Sequence, residues 1–216
     1  MNIKNQIISI LNEIDKRAEL IAVSKTRNFN EIKEAYDIGQ KCFGENRVQE
    51  LVDKYEKLPK DIEWHMIGHL QKNKVKYISS FITLIHSLDR LSLALEIDKN
   101  AKKNNRIIDC LIQLKISKED TKFGLNIEEL DVFIEKLREL QNINVIGLMG
   151  MATFTDDEKI INNEFKEIKK QFDKLKFTNK NLKILSIGMS DDYLIGIKNG
   201  SNMVRIGSKI FGKRNY

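Results

Sequence analysis

Short apolar runs rich in β-branched residues return along this chain at intervals of about 20 to 35 residues, and stretches with helical spacing separate them. The runs fall at 18–24 (AELIAVS), 41–44 (KCFG), 62–68 (IEWHMIG), 81–87 (FITLIHS), 107–117 (IIDCLIQLKIS), 143–150 (INVIGLMG), 182–188 (LKILSIG) and 202–207 (NMVRIG). Each has the length of a strand. Between them, sets such as Ile127, Leu130, Phe133, Ile134 and Leu137, or Phe165, Ile168, Phe172 and Leu175, place apolar side chains on one side of a helix. Strand and helix alternating eight times predict a parallel sheet with crossover helices, and eight units favour closure into a (β/α)₈ barrel. Residues 2–17, with Ile3, Ile7, Ile10, Leu11 and Ile14 on one side, predict an extra N-terminal helix that closes the bottom of the barrel. An open doubly wound sheet is the competing arrangement, but AVSKTRNFN after the first strand lacks the phosphate-binding glycines of that fold. Pro59, the one proline, falls in the loop after the helix that follows strand two, and no linker divides residues 1–216. One domain is expected.

Composition narrows the picture. The chain has 216 residues, 41% hydrophobic content and a formal charge of +6. No run reaches the ~18 apolar residues of a membrane span, and charges interrupt the apolar positions of MNIKNQIISILNEIDKR, unlike a signal peptide. A cytoplasmic location with no membrane partner is expected. The charge divides as +4 in residues 1–108 and +2 in 109–216, with lysines interleaved among Glu and Asp. Nucleic-acid binding would need basic residues gathered on one face, so none is expected. Cys42 and Cys110 share no spacing with each other or with histidines that implies a disulfide or a metal, and both are expected to be small buried hydrophobes.

Chemistry in such a barrel sits at the C-terminal ends of the strands. In IAVSK, the face carrying Ile21 and Val23 ends in the ammonium of Lys25. Held in a dry site, such a lysine is a nucleophile for aldehydes; otherwise it reaches back to water. In LSIGMSDD, strand seven runs into Gly188 and Ser190, and a helix is expected from Asp191. That arrangement can cradle phosphate, or it is an ordinary helix start in which Asp191 and Asp192 turn away to cap. In VRIGS, Gly207 and Ser208 can add amides and a hydroxyl. Arg205, between Val204 and Ile206, points opposite to both: into the barrel mouth if they face helices, or to a carboxylate on a neighbouring strand. Asn46 is placed to cap the helix after strand two, with Gln49 three residues on. His65 and His69 are read as satisfied by backbone, and Lys72, Lys74 and Lys76 as solvated.

AVSKT (22–26), FGENRVQE (43–50), WHMIGHLQKNK (64–74), GLMGMAT (147–153), LSIGMSDD (185–192) and VRIGSKIFG (204–212) resemble, in order, the motifs of the pyridoxal 5′-phosphate homeostasis proteins, which are similar to the N-terminal domain of alanine racemase. The resemblance spans nearly the whole chain. It implies a single α/β barrel of the TIM type with an extra N-terminal helix, binding pyridoxal phosphate as an internal aldimine on Lys25. Ser190, Gly207 and Ser208 would hold the phosphate, Arg205 would approach the pyridine nitrogen and Asn46 would lie near the ring. Two departures stand out: SKTRNFN lacks the proline that often follows SKT, which predicts a looser loop, and serine replaces the threonine common after RIG.

An arginine at the pyridine nitrogen weakens the ring as an electron sink. Racemisation needs a second base, which in alanine racemase is a tyrosine from a partner chain and depends on a C-terminal domain; with Tyr216 directly after the last helix, that domain is not expected here. The implied function is a non-catalytic carrier for cofactor homeostasis, monomeric, with pyridoxal-phosphate-dependent apoenzymes as recipients. The alternatives are a weak amino-acid racemase using Tyr36, Tyr55, Tyr77, Tyr193 or Tyr216 as second base, and a binder of phosphosugars or nucleic acid in which Lys25 is incidental.

Overall fold

All eight apolar runs form strands in the computed structural model, which describes residues 2–117, 119 and 122–213. They are β1 (Glu19–Val23), β2 (Cys42–Glu45), β3 (Glu63–Met66), β4 (Leu84–Leu88), β5 (Ile108–Leu114), β6 (Ile143–Gly150), β7 (Ile184–Met189) and β8 (Met203–Ile206). Every neighbouring pair is parallel, and β8 returns to β1 with Ile21 opposite Arg205 and Glu19 opposite Met203. The barrel is closed, so no strand edge is left exposed.

Alternation along each strand divides the apolar residues between two layers. Leu20, Ala22, Phe43, Trp64, Ile85, Cys110, Leu185, Val204 and Ile206 face outward into the main core beneath the helices. Ile21, Cys42, Leu84, Leu111, Met149 and Met203 form a second cluster inside the barrel.

The helices are α1 (Ile3–Ile14), α2 (Phe29–Asp37), α3 (Val48–Lys57), α4 (Leu91–Lys103), α5 (Leu130–Leu137), α6 (Glu158–Thr178), α7 (Tyr193–Lys198) and α8 (Ser208–Phe211). Three expectations need correction. The N-terminal helix does not close the bottom: Ile3, Ile7, Ile10 and Ile14 join the outer core, and α1 lies against α2 and α8. Between β3 and β4, the described residues contain a 3₁₀ helix at Lys72–Tyr77 and no α-helix; Lys72 and Lys76 face water, Lys74 is half-buried and Val75 is buried. Strand seven enters its turn through Gly188 at φ +98°, where an added Cβ would lie 2.8 Å from Tyr193 Cα, and α7 begins at Tyr193, two residues later than expected.

Candidate functional site at the upper mouth of the barrel

One cavity of about 230 Å³ opens at the C-terminal ends of the strands, and its lining includes Val23, Lys25, Asn46, Ser190, Arg205, Gly207 and Ser208. Small-molecule pockets begin near ~300 Å³, so this space suits a single-ring ligand. The six residues singled out from the sequence come from the loops after β1, β2 and β7 and from β8 with the turn that follows it. Tertiary structure brings all six together.

Lys25 lies in a turn two residues beyond β1 and is half-buried. The turn is tied from below. Glu50 accepts from the backbone amide of Thr26 at 2.6 Å, and the buried ammonium of Lys54, 3% exposed, donates to Ser24 O, Glu45 Oε1 and Glu50 Oε1 at 2.6–2.7 Å. The Ser24 hydroxyl donates to the same Glu45 oxygen, leaving Glu45 Oε2 buried without a partner. Burial raises the Glu45 pKa to about 7 despite the opposing pull of Lys54. Arg27 pairs with Glu31 and donates to Gly212 O, and Asn28 makes a capping box at the start of α2. These bonds anchor the loop that the missing proline predicted to be looser.

Arg205 points into the barrel, because Val204 and Ile206 face the outer core. It is 3% exposed and donates to Ser186 O and Oγ at 2.8 and 2.7 Å and to Gly150 O at 3.0 Å. Among the described residues no carboxylate from a neighbouring strand bonds the guanidinium, so the carboxylate alternative falls away. Burial lowers the Arg205 pKa to about 10, and Asp192 opposes that fall; the group remains cationic at neutral pH. Beneath it the polar chain continues, with Ser186 Oγ 3.4 Å from His86 Nδ1 and His86 Nε2 3.1 Å from His65 Nδ1. His65 is thus satisfied by a second histidine and not by backbone. Burial holds it neutral with a pKa of about 3, and His86 is likewise depressed, with His65 and Arg205 adding to the effect.

The loops after β7 and β8 meet where the Gly207 amide donates to Ser190 Oγ at 3.2 Å. Asp192 turns away but does not cap α7: its carboxylate accepts from the Met189 amide. Asp191, expected to turn away as well, is exposed and lines the rim of the cavity. Asn46 does not cap α3. The cap position belongs to Arg47, which makes no side-chain cap bond, and Asn46 lines the cavity instead.

Sequence reasoning missed His86, Ser186 and the Glu45–Lys54 pair. Ser186 alternates with Leu185 and Ile187 as Arg205 alternates with Val204 and Ile206, so parity was the available signal. Nothing in VQELVDKYEK marks Lys54 as buried.

The sequence model described as "Alanine racemase, N-terminal domain" matches residues 1–215. The chain belongs to the alanine racemase N-terminal domain family. Within that family it is 44% identical over 201 residues to the pyridoxal phosphate homeostasis protein of Aquifex aeolicus, covering 92% of this chain and 88% of that one. It is 38% identical over 202 residues to the protein of the same name from Escherichia coli K12, covering 91% and 86%. Among solved structures, PipY of Synechococcus elongatus with pyridoxal phosphate bound superposes with a TM-score of 0.89 at 31% identity, over 97% of this chain and all of that one. Alanine racemase of Clostridium difficile, at 18% identity and a TM-score of 0.79, covers 100% of this chain with 57% of its own length and shares the fold.

Proposed function

We propose that the upper mouth binds pyridoxal 5′-phosphate and that the chain serves cofactor homeostasis as a carrier, without being a dedicated catalyst. The observation that carries this reading is the convergence on one cavity of an amine, a buried guanidinium with neutral acceptors, and hydroxyls and an amide at two joined turns. When bound, pyridoxal phosphate supplies an aldehyde, a pyridine nitrogen and a phosphate dianion. Lys25 would capture the aldehyde, its amine adding to the carbonyl carbon as water leaves. Ser190, Gly207 and Ser208 would hold the phosphate, and the charged Arg205 would face the ring nitrogen and keep it unprotonated. Asn46 would lie beside the ring. The curated names of the relatives, homeostasis proteins in each case, support the carrier assignment.

None of the tyrosines among the described residues lines the cavity to serve as a second base. Tyr36 bonds Asp61, Tyr55 stacks on Phe81, Tyr77 is exposed, and Tyr193 donates to Glu13 from outside the lining; Tyr216 lies outside the described residues. Among the described residues no helix is long and apolar enough to cross a membrane; the proposed protein is a cytoplasmic, monomeric single domain that passes its cargo to apoenzymes.

The test is spectroscopic. Protein incubated with pyridoxal phosphate should turn yellow, and borohydride should bleach it and add the reduced cofactor's mass to the peptide bearing Lys25. A colourless protein, or mass on another lysine, overturns the assignment of the site. Rapid α-proton exchange from L-amino acids in deuterated water, at rates ordinary for racemases, overturns the carrier reading alone.

A further inference from the structure

The opposite, N-terminal mouth of the barrel carries a second cluster whose members come from three adjacent strands. Glu19 opens β1, Cys42 opens β2, Glu63 opens β3, and His65 stands one inward position above Glu63. Cys42 faces the interior cluster, and register places it directly opposite Glu63. Its Sγ lies 3.1 Å from Glu19 Oε1 and 3.4 Å from Glu63 Oε2. One ligand atom each from Cys42, Glu63 and His65 falls within a 4.8 Å span. With His65 Nδ1 engaged by His86, Nε2 is the nitrogen left for a ligand.

We propose that Cys42, Glu63 and His65, with Glu19 as a fourth donor, form a binding site for a divalent transition cation of the zinc class. In a tetrahedral site with bonds of about 2.0–2.3 Å, donor atoms stand about 3.3–3.8 Å apart; Glu63 Oε2 already stands at that spacing from the Cys42 sulfur, and Glu19 Oε1 stands slightly closer to it. A thiol with an imidazole selects a borderline-soft metal over calcium or magnesium. The other ring nitrogen of His65 is fixed by a buried partner, as metal-bound histidines require. On binding, the Cys42 sulfur takes the metal and its proton leaves to solvent. Glu63 and Glu19 are exposed and Cys42 is 8% exposed, so the ion has a path from below. This site is separate from the upper mouth and stands or falls without it.

Cobalt(II) chloride titrated into the full chain at neutral pH is the test. A thiolate-to-cobalt charge-transfer absorption should appear, saturate at one equivalent and bleach on adding zinc. Cys42→Ser should abolish it, Cys110→Ser should leave it, and Glu63→Gln should weaken binding at least about tenfold. Glu63 is exposed, so its variant keeps the test intact even if Cys42→Ser unfolds; circular dichroism distinguishes the cases. No band in the parent protein, a band that persists in a folded Cys42→Ser protein, or Glu63→Gln binding as tightly as the parent overturns the proposal.

Discussion

The two mouths of the barrel are built from the same eight strands and carry opposite charge. At the upper mouth Lys25 and Arg205 bring two cations to a small cavity. At the lower mouth Glu19 and Glu63 flank a thiol. The supports differ as well. Upper residues come largely from loops, so each needs its own tether: Glu50 for the turn at Lys25, Ser186 and Gly150 for Arg205, Ser190 for Gly207. Lower residues open or lie within strands, and parallel register alone sets them side by side. The upper end can therefore change its chemistry by changing loops, while the lower end is fixed by the ladder. Between them the chain from Arg205 through Ser186 and His86 to His65 fills the barrel with polar groups that have partners, which avoids the cost of orphaned ones.

The strongest way to break the contrast is to remove the upper amine. Lys25→Ala should reduce borohydride-trapped cofactor to background by mass spectrometry, with weak phosphate-anchored binding surviving in equilibrium dialysis. Next comes the buried tether. Lys54→Met strips the cation from Glu45 and Glu50, and losing one member of such a pair costs about 3–5 kcal/mol. Glu45 can answer by taking up a proton, so the lower end, about 3 kcal/mol, is expected from chemical denaturation, together with weaker cofactor capture as the Lys25 turn loosens.

A pH-dependent effect, bounded by a similar size, follows from Glu45 itself. Folded Glu45 keeps its proton up to about pH 7, whereas the unfolded carboxyl releases it near its ordinary value of 4.5. Between those limits the folded state binds the extra proton, so this group's stabilising contribution, full below pH 4.5, is lost as pH rises through 7. Glu45→Gln lacks that loss. Its stability relative to the parent should climb across this window, by at most about 1.4 kcal/mol per pH unit, as read from denaturant midpoints at several pH values. The mildest change sharpens the independence of the two ends: Glu19→Gln should shift stability by less than about 0.5 kcal/mol and lower cobalt affinity, yet leave the yellow colour and cofactor affinity unaltered.

Much of the architecture was legible because burial imposes a period on the sequence. Short β-branched runs such as AELIAVS and NMVRIG suit strands buried on both faces, and their observed limits differ from the expected ones by three residues or fewer. The helix before β1 was legible, but not its place, since an apolar stripe on α1 says that it is covered without saying by what. Lys25 and Arg205 were visible as charges interrupting apolar alternation. Asn46 was legible as a polar residue after a strand, but the reading as a cap failed, because the chain turns one residue later at Arg47.

Periodicity, then, determined by itself that eight strands alternate with amphipathic segments, and the family's motifs marked the loops of the upper mouth. Register, packing and burial decided the rest. Only the ladder sets Cys42 opposite Glu63 and brings it to His65, 23 residues away. Only the closed barrel leaves Arg205 to neutral acceptors, and only the seat of α3 against the sheet turns Lys54 from a surface charge into the anchor of a turn. A local pattern records whether a side chain is hidden; which group it then meets depends on contacts between segments far apart in the chain.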